Sequence, residues 1–114
     1  LTSSTFLIPA SGIYHLDVSL AMANTAGIAL DESSATLTIN RVRNGTTTVI
    51  AENIVGERNV DNTNHYIYLQ ISRDFSLLAG DRILINVRQN NDDEKSFIIR
   101  PSDSYFTGHL KIAL

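Results

Sequence analysis

Apolar and polar residues alternate with a period of two through most of this chain, which predicts β-strands. The closing stretch is the clearest case. Phe106, Gly108, Leu110, Ile112 and Leu114 fall on one face, and Tyr105, Thr107, His109, Lys111 and Ala113 on the other. An apolar end of this kind is expected to be tied into a sheet, since loose termini are ordinarily polar. The strand is therefore expected in the middle of a sheet, with Phe106, Leu110 and Ile112 as ordinary core. Gly108 weakens it unless something packs closely on the backbone there. Residues 12–23 alternate as well, with Tyr14, Leu16, Val18, Leu20 and Met22 inward and His15, Asp17, Ser19 and Ala21 outward. Residues 35–43 carry Leu37 and Ile39 inward and lead through Asn44-Gly45 into 46–53. That dipeptide suits the two positive-φ positions of a type I′ turn, so the two runs form a hairpin. A two-residue turn sets Arg43 opposite Thr46 and Ile39 opposite Ile50.

Residues 64–75 read as the longest strand and are apolar on both faces: Ile67, Leu69 and Ile71 on one, Tyr66 and Tyr68 on the other. Such a strand has to be covered on both sides. Shorter strands are expected at 4–8, stopped by Pro9, at 82–90, and at 95–100, stopped by Pro101. Residues 24–34 and 55–63 read as polar loops, and 78–81 as a turn whose Asp81 carboxylate accepts backbone N–H bonds. The alanine-rich 19–30 is the best helix candidate. It continues an alternating run and contains Asn24 and Gly27, so it reads as a strand end and loop. Eight strands with turns between them and no helix predict an all-β, antiparallel β-sandwich or barrel, of which the jelly roll is the eight-stranded member.

Composition narrows the function classes. A chain of 114 residues forms one domain, 1–114, and buries roughly 65% of its unfolded surface without metals or staples. No apolar run approaches the ~20 residues that span a bilayer, and no signal-peptide pattern opens the chain, so membrane insertion is not expected. The absence of cysteine excludes disulfides, thiolate metal sites and cysteine nucleophiles. A net charge of −3 supplies no basic field, which argues against nucleic acid as partner. The seven arginines are spread along the chain, and most read as solvated.

Four motifs in order add a resemblance. Phe6-Leu-Ile-Pro9-Ala-Ser-Gly12-Ile-Tyr14-His-Leu16, Arg43-Asn44-Gly45, Leu78-Ala-Gly80-Asp81-Arg-Ile83 and Phe106-Thr-Gly108-His-Leu110 resemble the corresponding segments of the C1q-like/TNF-like domain. That resemblance implies a jelly roll of eight to ten strands, ideally two five-stranded sheets, assembled as a compact homotrimer. It also implies recognition of proteins, glycans or surfaces, with no enzymatic activity. The family's strands before the position of Phe6 have no counterpart here. One of them ordinarily lies beside the closing strand, whose edge is then exposed.

Candidate chemistry is sparse. His15, His65 and His109 lie on three separate strands with no metal-ligand spacing. Asp92, Asp93 and Glu94 are adjacent carboxylates on a loop tip, suited either to calcium or simply to solvent; no other cofactor is expected. No Gly-x-Ser-x-Gly, phosphate loop or nucleophile–base pair is visible. Asn44-Gly45-Thr46 is formally a glycosylation sequon, which the tight turn explains equally well. Tyr66, Tyr68, Tyr105 and His109 are expected to line the homotrimer interface, because aromatic residues concentrate at such surfaces. Protonation of His109 near a threefold axis would then loosen the trimer as pH falls through about 6.5. The expected function is a trimeric recognition head of an extracellular or cell- or virion-surface protein, binding a protein or glycan. Its composition leans to a bacterial or phage source. A phage or virus particle module and a carbohydrate-binding module are the alternatives.

Overall fold

Eight strands, paired antiparallel throughout, make up the structure, a computed structural model that describes residues 4–24, 30–60, 66–91, 97–99 and 104–113. They are β1 (Ser4–Leu7), β2 (Gly12–Asn24), β3 (Leu30–Arg43), β4 (Thr46–Val60), β5 (Tyr66–Leu77), β6 (Arg82–Asn91), β7 (Phe97–Ile99) and β8 (Tyr105–Ala113). One sheet runs β1-β6-β3-β4. In the other, β5 pairs with β2 over 12–23, while β8 and β7 share the opposite edge of β2, at 12–19 and 22–24. Neighbours in space are mostly not neighbours in sequence, and the chain passes back and forth between the sheets as in a jelly roll.

The alternating residues meet between the sheets. Tyr14, Leu16 and Val18 of β2 and Leu69 of β5 face Leu37 and Ile39 of β3 in one buried cluster. Burying each such side chain contributes about 1.5–3 kcal/mol. The Tyr14 hydroxyl, carried into this apolar layer, donates to the Ala10 carbonyl at 2.6 Å. At the hairpin, Asn44 (φ 51°) and Gly45 (φ 76°) both occupy the left-handed region, as a type I′ turn requires. Arg43 is opposite Thr46 as expected. Beyond that, a register shift between Ile39 and Asn40 inserts Ile50 as an extra residue, so Ile39 lies opposite Ala51 and not Ile50. The hairpin also runs further than the polar composition of its arms suggests: Leu30 pairs with Val60, through segments that read as loops in sequence. Backbone pairing to an established neighbour carries a polar strand that has no apolar face of its own.

Asp81 anchors the β5–β6 turn. Its carboxylate accepts from the Leu78 N–H at 2.8 Å, as expected, and also takes both arms of Arg43, Nε at 2.8 Å and a terminal nitrogen at 2.7 Å. Arg43 is thus not one of the solvated arginines. The Asp81 carbonyl accepts from the Ile8 N–H at 2.8 Å, which ties the end of β1 to the same turn.

Two expectations for β8 are corrected. It does not lie in the middle of a sheet: among the described strands it pairs with β2 alone and leaves its other edge open. Nor are Leu110 and Ile112 ordinary core, being 43% and 56% exposed. A bulge between Ile13 and Tyr14 changes the pairing from Tyr14–Leu110 to Ile13–Ile112. The extra residue, Lys111, reverses the alternation and puts Ile112 on the face away from the core. Leu110 keeps its core-side register beside Gly12, but at the sheet margin it is only partly covered by the described residues. Phe106 does pack on the core, and the space a Cβ would take at Gly108 holds Leu16 Cδ2, 2.8 Å away.

Candidate functional site

The face of the β5-β2-β8 sheet that points away from the core follows from strand parity and pairing. Across β5, β2 and β8 its rows are Gln70–Ser19–Tyr105, Ser72–Asp17–Thr107, Asp74–His15–His109 and Ser76–Ile13–Ile112. Tyr68 sits one row beyond, opposite Ala21. The ends of this face are apolar and exposed: Tyr68 at 66% and Tyr105 at 51% at one end, Ile112 at the other.

Its centre is a connected polar network. The His15 ring lies between two carboxylates, Nδ1 2.7 Å from Asp74 Oδ1 and Nε2 3.2 Å from Asp17 Oδ1. The Ser72 hydroxyl donates to Asp17 at 2.5 Å and lies 3.1 Å from Nε2. Lys111 Nζ donates to the other oxygen of Asp74 at 2.9 Å. The His109 ring packs against His15, with centroids 5.5 Å apart and planes at 42°. Asp74, and then Asp17, hold the His15 imidazole above its ordinary value of 6.5, against the loss of hydration. The Ser72 hydroxyl first, then His15, hold Asp17 below the usual carboxylate range; Lys111 first, then His15, do the same to Asp74.

Sequence reasoning missed this network because its members come from three strands far apart in the chain, Asp74 lying 59 residues from His15 and 37 from Lys111, and only the pairing register brings them together. Its one legible signal was His15-x-Asp17, two polar residues on one face of an alternating strand. Ser72, His15 and Asp74 stand at the spacing of a nucleophile, a base and an orienting carboxylate. Two features turn that geometry away from hydrolysis. The Ser72 hydroxyl already donates its hydrogen bond to Asp17, and an imidazole held between two carboxylates favours its protonated form, which cannot act as a base.

The expected interface residues come together in part. Tyr68, Tyr105 and His109 share the outward face. Tyr66 pairs with Ala23 in the same register, but its side chain lies outside the described residues. The carboxylates proposed for calcium, Asp92, Asp93 and Glu94, also lie outside them, as does His65. His15 and His109, on separate strands in sequence, are cross-strand neighbours. Among the described residues no group of three or more His, Asp or Glu is arranged to hold a metal ion. No helix among them is long and apolar enough to cross a membrane.

No protein-family model matches the chain, and no curated protein matches it. Solved structures do. An Eiger TNF from S. frugiperda superposes with a TM-score of 0.67 over 97% of this chain, at 13% identity. Murine APRIL, in crystals at pH 5.0 and pH 8.5, superposes with TM-scores of 0.63 and 0.62 over 96% of this chain, at 16% identity. The fold is a TNF-like jelly roll. At such identities the likeness is one of fold. This chain spans 64% of the Eiger chain and 72% and 70% of the two APRIL chains.

Proposed function

We propose that this TNF-like domain is a non-enzymatic, homotrimeric recognition head working outside the cell or on a cell or virion surface, with a protein or glycan as ligand. Copies meet through the outward face of β5, β2 and β8, with Tyr66, Tyr68, Tyr105 and His109 at the contact. The observation that carries this reading is the exposure of Tyr68, Tyr105 and Ile112 on one side of a sheet whose other side carries Tyr14, Leu16, Val18, Leu69 and Ile71 into the core. Apolar side chains framing a self-satisfied polar centre suit a surface that is covered in the working assembly. The fold supports the same arrangement, through the trimeric assembly that the C1q/TNF resemblance implies. Ligand recognition is then left to the loops and to the outer face of the β1-β6-β3-β4 sheet. Light scattering at micromolar concentration is expected to give about three times the 12.6 kDa chain mass. Tyr105→Arg is expected to shift the protein toward monomer with its β-sheet circular dichroism intact. A stable monomer of the parent protein would overturn the reading.

A further inference from the structure

We propose that the outward face of the β5-β2-β8 sheet is a proton-gated contact between copies of this chain, closed while His15 is an imidazolium. The inference rests on the trimer reading above and adds its regulation.

The geometry is a chain of alternating charge laid across three strands: Asp17 and His15 of β2, Asp74 of β5, and Lys111 of β8. Consecutive members of Asp17···His15···Asp74···Lys111 are 3.2, 2.7 and 2.9 Å apart. With His15 protonated the two carboxylates and two cations cancel, and both ring nitrogens have a proton to donate. With His15 neutral one negative charge is unbalanced, and one carboxylate keeps only its second donor, Ser72 for Asp17 or Lys111 for Asp74. In water either state is tolerated. Beneath another copy the unbalanced state is costly, because an uncompensated charge loses its hydration without gaining a partner. The apolar frame of Tyr68 and Tyr105 on one side and Ile13 and Ile112 on the other makes the covered centre drier still.

His109 is the other ring that faces His15, and its charge falls on Asp17, a carboxylate already engaged by His15 and Ser72. Arg73, the remaining charged group around the same depression, packs its guanidinium over the Phe75 ring at 5.6 Å. Being always protonated, it contributes no pH dependence of its own. The upward displacement of the His15 pKa in the single chain agrees with this assignment.

The experiment is light scattering or sedimentation of the 114-residue protein between pH 5 and pH 10, with circular dichroism on the same samples. Association is expected to hold while His15 is protonated and to weaken as pH rises beyond that range. On the alkaline limb the dissociation constant is expected to rise by up to about tenfold per pH unit for each subunit. His15→Gln is expected to remove the alkaline limb. Calorimetric dilution of the parent protein, in two buffers of different ionisation heat, is expected to show proton release on dissociation within the alkaline limb. This measurement decides the matter if His15→Gln fails to fold. A trimer with a flat pH profile, a His15→Gln protein that keeps the alkaline limb, or dissociation without proton release overturns the gate alone. A folded monomer at every pH overturns the gate together with the trimer reading.

Discussion

Replacing Asp81 by asparagine keeps the shape of the β5–β6 turn and removes one charge from its centre. The carboxylate is 2% exposed and accepts three hydrogen bonds, two of them from Arg43. In the variant one oxygen becomes an NH₂ group that faces an N–H donor, so a guanidinium arm or the Leu78 N–H loses its acceptor. Hydrogen bonds to charged groups contribute about 1.5–3 kcal/mol each, and stranding one partner of a fully buried pair costs about 3–5 kcal/mol. The Arg43 side chain is 30% exposed, so water recovers part of its loss. The net destabilisation expected is about 2–3 kcal/mol, or a melting temperature lower by about 8–12 °C at fixed protein concentration. Arg43 first, and then the Leu78 N–H, hold the Asp81 carboxyl below the usual carboxylate range. For a group with a depressed folded pKa, the stabilisation is complete above the ordinary value of about 3.9 and is lost as pH falls through the folded value. The gap between parent and variant is therefore expected to be constant from pH 7 to pH 5 and to close in strong acid. Arg43→Met should cost a similar amount, and the double variant less than the sum of the two. A variant melting within about 1 °C of the parent at pH 7, or a gap that persists unchanged in strong acid, would refute this account of the turn.

Two further outcomes test the sheet that carries the candidate face. A Cβ at Gly12 would lie 2.4 Å from the Ile112 carbonyl oxygen and 2.6 Å from Leu110 Cδ1, so Gly12→Ala should push β8 away and cost about 1–3 kcal/mol in urea unfolding. Amide exchange should quicken across Tyr105–Ala113; unchanged exchange there would mean that β8 does not seat as described. In the single chain, the raised His15 pKa contributes stability that is complete below the ordinary value of 6.5 and is lost as pH rises through the folded one. Dilute, monomeric protein should therefore lose this contribution on the alkaline side, and His15→Gln should flatten that part of its stability profile. An identical slope in parent and variant would show that the His15 network does not bear on folding.

Much of the fold is legible in one dimension because strand periodicity is a local property. Tyr14, Leu16 and Val18 alternate in sequence, and they are buried in the structure for that reason alone. Asn44-Gly45 specifies its turn through backbone sterics, independent of anything distant. Asp81 was recognisable as a turn carboxylate, but its stronger partner, Arg43, lies 38 residues away and carries no local mark.

What the sequence by itself determined is the identity of the strands, the hairpin turn and the inward faces, since each depends on residues within a few positions of one another. What only the tertiary structure decided is register and adjacency. One extra residue, Lys111, turned Ile112 from the core to the outward face, and another, Ile50, replaced itself with Ala51 opposite Ile39. The His15 network exists because β5 and β8 pair with opposite edges of β2 in one particular alignment, which sets Asp74 and His109 on either side of His15. Alternation is blind to such alignments: a slip by one residue leaves every strand's own pattern intact while changing every neighbour it meets.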